Sequence, residues 1–95
     1  MSNVKIDRLG SSFVKVISEI LATEIKDENI KFVTITSCNV TNDLSFAKIY
    51  FTTQLDKNTM LKDLEEASGY IRGELSERIE IRHTPKIRFQ YDNSI

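Results

Sequence analysis

The stretch Phe32-Val-Thr-Ile-Thr-Ser-Cys-Asn-Val-Thr-Asn-Asp-Leu-Ser-Phe-Ala-Lys-Ile-Tyr-Phe51 decides the fold. Its first residues alternate, with Val33 and Ile35 on one face and Thr34 and Thr36 on the other. Its last residues alternate too, with Ala47, Ile49 and Phe51 opposite Phe46, Lys48 and Tyr50. β-Branched and aromatic residues at period two specify strands, here expected over residues 32–36 and 46–51. Between them Thr41-Asn-Asp-Leu-Ser45 supplies a turn, because Asn and Asp side chains bond to nearby backbone and tolerate left-handed geometry. So short a connection makes the pair an antiparallel hairpin.

On the N-terminal side, Leu9, Phe13, Val16, Ile17, Ile20, Leu21 and Ile25 recur at spacings of three and four. That stripe predicts a helix over residues 3–26, ended by the solvated Asp27-Glu-Asn29. On the C-terminal side, Leu61, Leu64, Ser68, Ile71, Leu75 and Ile79 predict helix over residues 59–80. Gly69 falls inside it, where Gly costs about 1 kcal/mol relative to Ala. A break at Ala67, Ser68 and Gly69, giving two helices, is therefore expected. Pro85 stops helical structure and pushes Thr84 toward extended geometry. The third strand is Lys86-Ile-Arg-Phe-Gln-Tyr91, with Ile87, Phe89 and Tyr91 on one face and Lys86, Arg88 and Gln90 on the other. The order is α-β-β-α-α-β. Each strand has one apolar and one mostly polar face, so the helices cover one side of a three-stranded sheet and leave the other wet. The expectation is an α+β, two-layer single domain over residues 1–95.

Composition narrows the function classes. The chain has 95 residues, 40% hydrophobic and 28% charged, which is ordinary for one globular domain. No apolar run approaches the ~18 residues that a membrane span needs. Met1-Ser-Asn-Val-Lys-Ile-Asp-Arg8 has no apolar core of a signal peptide, and Cys38 is the only cysteine. A cytoplasmic protein without an internal disulfide is expected. His83 and Cys38 fall short of the four N/S ligands of a structural zinc site, so no metal or cofactor is expected. No Ser-His-Asp signature is present, and His83 before Pro85 reads as a surface or capping residue. Glu19, Glu24, Asp27 and Glu28, like Asp63, Glu65 and Glu66, read as solvated helical faces. Cys38 reads as a small buried residue. Gly69 and Gly73 make no phosphate-binding loop. The chain therefore reads as no enzyme.

Net charge is −1, so any case for nucleic acid rests on distribution. Lys5, Arg8 and Lys15 face only Asp7 in residues 1–18, whereas Glu19, Glu24, Asp27 and Glu28 face only Lys26 in residues 19–28. A helix dipole prefers the reverse order, so a partner is the expected reason for this layout. Arg72, Arg78, Arg82, Lys86 and Arg88 form a second basic group, partly offset by Glu74, Glu77 and Glu80. The candidate RNA-binding set is thus Lys5, Arg8, Lys15, Arg72, Arg78, Arg82, Lys86 and Arg88. Tyr50, Phe46 and Phe32 are candidates for stacking on bases from the open sheet face, with cross-strand packing as the plainer account.

Several pieces, in this order, carry a resemblance. They are Asp27, Phe32-Val-Thr-Ile-Thr36, Asp43-Leu-Ser-Phe-Ala-Lys-Ile-Tyr50, Ala67-Ser-Gly-Tyr-Ile-Arg72, Glu74-Leu75, Ile81-Arg-His-Thr-Pro85, Ile87-Arg-Phe89 and Asp92-Asn-Ser-Ile95. Together the chain resembles the bacterial ribosome-binding factor A family. The resemblance implies a type II KH-like fold in which an Ala-x-Gly interhelical kink, here Ala67, Ser68 and Gly69, replaces the Gly-x-x-Gly loop of other KH domains. It also implies a non-enzymatic, monomeric assembly factor that binds 16S rRNA near the decoding region on free 30S subunits. Late 30S maturation, 16S rRNA processing, growth in the cold and release by an assembly GTPase are implied with it. The alternative is a protein–protein interaction module of the same fold, using the acidic patch around Asp63, Glu65 and Glu66.

Overall fold

The structure, a computed structural model, describes residues 4–94. Asn3 and Ile95, which the readings above include, lie outside them. Helix α1 spans Val4–Thr23 and is followed by a 3-10 turn over Glu28–Phe32. Strands β1 (Val33–Val40) and β2 (Phe46–Thr53) come next, then helix α2 (Lys57–Arg78) and strand β3 (Lys86–Tyr91). The sheet order is β1-β2-β3, antiparallel between β1 and β2 and parallel between β2 and β3. A parallel neighbour requires a crossover, and α2 supplies it.

Both helices pack on one face. Phe13, Ile17, Ile20 and Leu21 of α1, with Met60, Leu64, Ile71 and Leu75 of α2, join Ile35, Val40, Ala47, Ile49, Phe51 and Phe89 of the sheet in one buried core. The opposite face carries Thr34, Ser37, Asn39, Phe46, Lys48, Lys86, Arg88 and Gln90, all of them exposed. The two-layer sandwich with one wet face follows from the alternation of each strand.

β1 runs four residues beyond its expected end. Ile35 pairs with Phe51 and Ser37 with Tyr50, so Thr36 is an extra residue in a bulge. The bulge flips the side-chain phase: Val33 and Ile35 face the helices before it, Cys38 and Val40 after it. A pattern search at strict period two loses the strand there. Thr36 Oγ1 donates to Asp92 Oδ2 at 2.7 Å, which ties the bulge to the end of β3. Phe32 belongs to the 3-10 turn rather than to β1 and is 62% exposed. Cys38 lies inside the lengthened strand and is half-buried rather than fully buried; burial pushes its thiol up to about 12.

Helix α2 lacks the expected break. It passes through Ala67, Ser68 and Gly69 without interruption, so the described residues form two α-helices in the order α-β-β-α-β. Gly69 has no left-handed backbone, and a Cβ on it would meet nothing within 4 Å. Ser68 turns its hydroxyl back onto the Glu65 carbonyl at 2.7 Å and satisfies itself within the helix. Leu64, Ile71 and Leu75, all fully buried, hold both halves on the sheet. That tertiary packing outweighs the ~1 kcal/mol propensity cost of one glycine. Asp56 caps the helix, its carboxylate accepting from Thr59 N at 2.9 Å and Thr59 Oγ1 at 2.7 Å.

Candidate nucleic-acid interface

β3 is an edge strand, and α2 crosses back beside it. Between them runs an open groove of about 390 Å³, with Ser68, Gly69 and Arg72 on the helix wall and Lys86 and Arg88 on the strand wall. Glu65 also lines it. A second hollow of about 420 Å³ shares Gly69 and Arg72 and adds Gly73, Arg82 and His83. Four expected cations, Arg72, Arg82, Lys86 and Arg88, thus converge along one continuous trough. Gly69 and Gly73 keep the helix side of that trough open because neither carries a Cβ.

Arg72 does two things there. Its Nε donates to the Pro85 carbonyl at 3.1 Å and its Nη2 to the Thr84 carbonyl at 2.8 Å. The guanidinium therefore fixes the loop that leads into β3, and its positive charge stays in the trough, since carbonyls do not neutralise it. Arg82 and His83 are exposed on that loop.

Arg78 does not join this group. Its guanidinium pairs with Glu24 at the end of α1 and with Glu74 one turn back on α2. Tyr70 donates to the other oxygen of Glu24 at 2.7 Å. Hydrogen bonds from Arg78 and Tyr70 hold the Glu24 carboxyl below its usual range, and the two carboxylates raise Arg78. The acidic end of α1 runs against the helix dipole, and for Glu24 the partner is α2 of the same chain. The remaining candidates lie elsewhere. Lys5 and Arg8 line a separate hollow beside Leu44 and Ile81, and Lys15 is exposed further along α1.

The acidic alternative fares differently. Glu65 and Glu66 are exposed, but Asp63 is half-buried. Desolvation raises its carboxyl first, and a hydrogen bond with Asp27 raises it further. Asp63 is thus engaged with its own chain.

Sequence reasoning missed Lys48. In register it lies beside Arg88 on β3 and Asn39 on β1, on the open face. Its position inside the alternating strand 46–51 was visible, but its neighbour across a parallel pair was not. Of the stacking candidates, Phe46 is 46% exposed on the same face beside Lys86, Tyr50 is half-buried, and Phe32 sits at the far end of the sheet. Among the described residues no group of three or more His, Cys, Asp or Glu could hold a metal ion, and no helix is long and apolar enough to cross a membrane.

Comparison with known proteins agrees with this architecture. The crystal structure of ribosome-binding factor A from Thermus thermophilus superposes with a TM-score of 0.84 at 17% identity, covering 90% of this chain and 94% of that one. A Thermus thermophilus ribosome binding factor A homology model, fitted into the cryo-EM map of a 30S–RbfA complex, gives 0.76 at 18% identity, covering 90% and 92%. The fold is the KH-like α+β arrangement of these proteins. In sequence, ribosome-binding factor A of Staphylococcus carnosus is 40% identical over all of this chain and 85% of its own length. That of Natranaerobius thermophilus is 40% identical over all of this chain and 75% of its own. The family described as Ribosome-binding factor A matches residues 5–95, and the chain belongs to that family.

Proposed function

We propose that this protein binds the small ribosomal subunit through 16S rRNA and acts in late 30S maturation, including 16S rRNA processing and growth in the cold. The observation that carries the reading is the trough between α2 and β3, where Arg72, Arg82, Lys86 and Arg88 converge. Family membership and the relative named for its 30S complex support the choice of partner. The trough has no Gly-x-x-Gly loop to clamp a single strand, so its cations contact phosphates and position the protein without reading sequence. Binding is the whole of this activity; it contains no catalytic step, and an assembly GTPase would act on the bound complex. A monomer in the cytoplasm suffices for it.

The test is co-sedimentation with purified small subunits at low salt. Changing Arg82, Lys86 and Arg88 to Glu abolishes pelleting, whereas changing the exposed Lys26 and Lys62 to Glu leaves most of it. Equal losses from both sets mean that net charge, not the trough, drives association. Retention by the triple variant sinks the reading.

A further inference from the structure

The open sheet face has a charge arrangement that the fold does not explain. Lys48 on the central strand lies in register with Arg88, and Phe46 with Lys86. Like charges directly opposite across a strand pair are destabilising. On its other side Lys48 faces Asn39, which brings no countercharge. Two carboxylates near this face are already engaged: Asp92, beyond the other end of β3, accepts from Thr36 Oγ1 and Ser94 N, and Asp43, in the turn before Phe46, accepts from Ser45 N and Thr41 Oγ1. Beside the cations Phe46 leaves nearly half of its surface in water on a central strand, a costly place for an aromatic ring. Alternate side chains along a strand stand roughly 7 Å apart. Cations therefore flank the half-exposed Phe46 on two sides, Lys48 along β2 and Lys86 across on β3.

We infer that this face, centred on Phe46, Lys48, Lys86 and Arg88, binds an unpaired segment of RNA, with one base stacked on Phe46 and flanking phosphates held by the three cations. Base–aromatic stacking with a cationic surround is how sequence-tolerant single-strand binding is built. The face is continuous with the trough, because Lys86 and Arg88 border both. An RNA engaged in the trough can thus pass its unpaired end around the β3 edge onto the sheet. The inference rests on the proposed rRNA contact and adds a second, chemically different surface to it.

The experiment uses the full chain and a fluorescein-labelled single-stranded RNA of twelve nucleotides, with a hairpin duplex of the same composition as comparison. Wild type is expected to bind the single strand more tightly than the duplex. Phe46→Leu, which keeps an apolar side chain and removes the ring, should weaken single-strand binding about tenfold and leave duplex binding within twofold. Lys48→Gln should reduce the salt slope of single-strand binding by about 0.7, one phosphate contact. Far-ultraviolet circular dichroism of each variant checks that it is folded. Unchanged single-strand affinity in both folded variants overturns the inference, and so does displacement of the RNA at equal concentration by an acidic peptide of the same length. Wild type that pellets with small subunits yet ignores the single strand also overturns it, while leaving the proposed function standing. Single-strand binding by Phe46 and Lys48 without subunit pelleting supports the sheet site and removes the subunit reading.

Discussion

Gly10 and Gly69 show how little a residue's identity says without its surroundings. Both sit inside helices, and both look like weak points worth about 1 kcal/mol against Ala. A Cβ on Gly10 would lie 2.8 Å from the backbone oxygen of Cys38, because α1 presses against β1 there. A backbone oxygen in a sheet cannot step aside, so overpacking of about 1–3 kcal/mol outweighs the propensity gain. Gly10→Ala should lower the urea midpoint. A Cβ on Gly69 meets nothing within 4 Å, so Gly69→Ala should raise the midpoint by the equivalent of about 0.4–1 kcal/mol through the unfolded state. Opposite signs in one denaturation series confirm both readings, and a loss from Gly69→Ala would restore a helix break at that position.

At the scale of elements, the β1–β2 turn and the α1–α2 clamp each depend on a carboxylate. In the turn Leu44 takes a left-handed backbone, φ 62°, and a half-buried side chain packed against the core. Asp43 holds that shape by accepting from Ser45 N at 3.0 Å and Thr41 Oγ1 at 2.9 Å; hydrogen bonding from the Ser45 side chain, then from its N–H and from Thr41, pulls the carboxyl down to about 2 from 3.8. A folded-state value below the unfolded one contributes stability that is complete above pH 3.8 and lost as pH falls through about 2. Asp56, Asp92 and Glu24 are lowered as well and fade on acidification too, whereas Asp63 is raised and acts the other way. Asp43→Asn should therefore flatten the fall of the urea midpoint between pH 4 and pH 2. A curve parallel to wild type would remove Asp43 from the account. In the clamp, Arg78 joins Glu24 and Glu74. Arg78→Gln should lower the midpoint at neutral pH and leave subunit pelleting unchanged, which separates it from Arg82 and Arg88.

Over the whole molecule, a chain of net charge −1 can meet an anionic particle only where its cations are gathered. Arg72, Arg82, Lys86 and Arg88 border the trough, and the internally paired Arg78 stands apart. If these four contact phosphates, the logarithm of the subunit binding constant should fall against the logarithm of salt with a slope of about −3 to −4. Titrating pelleting between low and physiological salt reads this directly. A flat response would mean that shape and apolar contact carry association, and would move attention to the hollow around Leu44 and Ile81.

Much of the fold was legible without coordinates. Helical stripes, strand alternation, the Asn-Asp turn and the Pro85 stop are short-range signals, set by contacts a few residues apart, so α1, the hairpin, β3 and the wet sheet face could be read from residue order. The stripe of α2 was equally legible, but its continuity was not. Whether Gly69 breaks a helix depends on whether Leu64, Ile71 and Leu75 find one common surface, which is a property of the packed sheet. The bulge at Thr36 is likewise tertiary, since the partner register on β2 creates it. Charge shows the same division. Order along the chain listed the cations, but the Glu24–Arg78 pair spans 54 positions and the Lys48–Arg88 neighbours meet only through a parallel strand pair. Tertiary structure alone decided which charges are spent inside the molecule and which remain to meet a partner, because electrostatic energy depends on distance in space and not on separation along the chain.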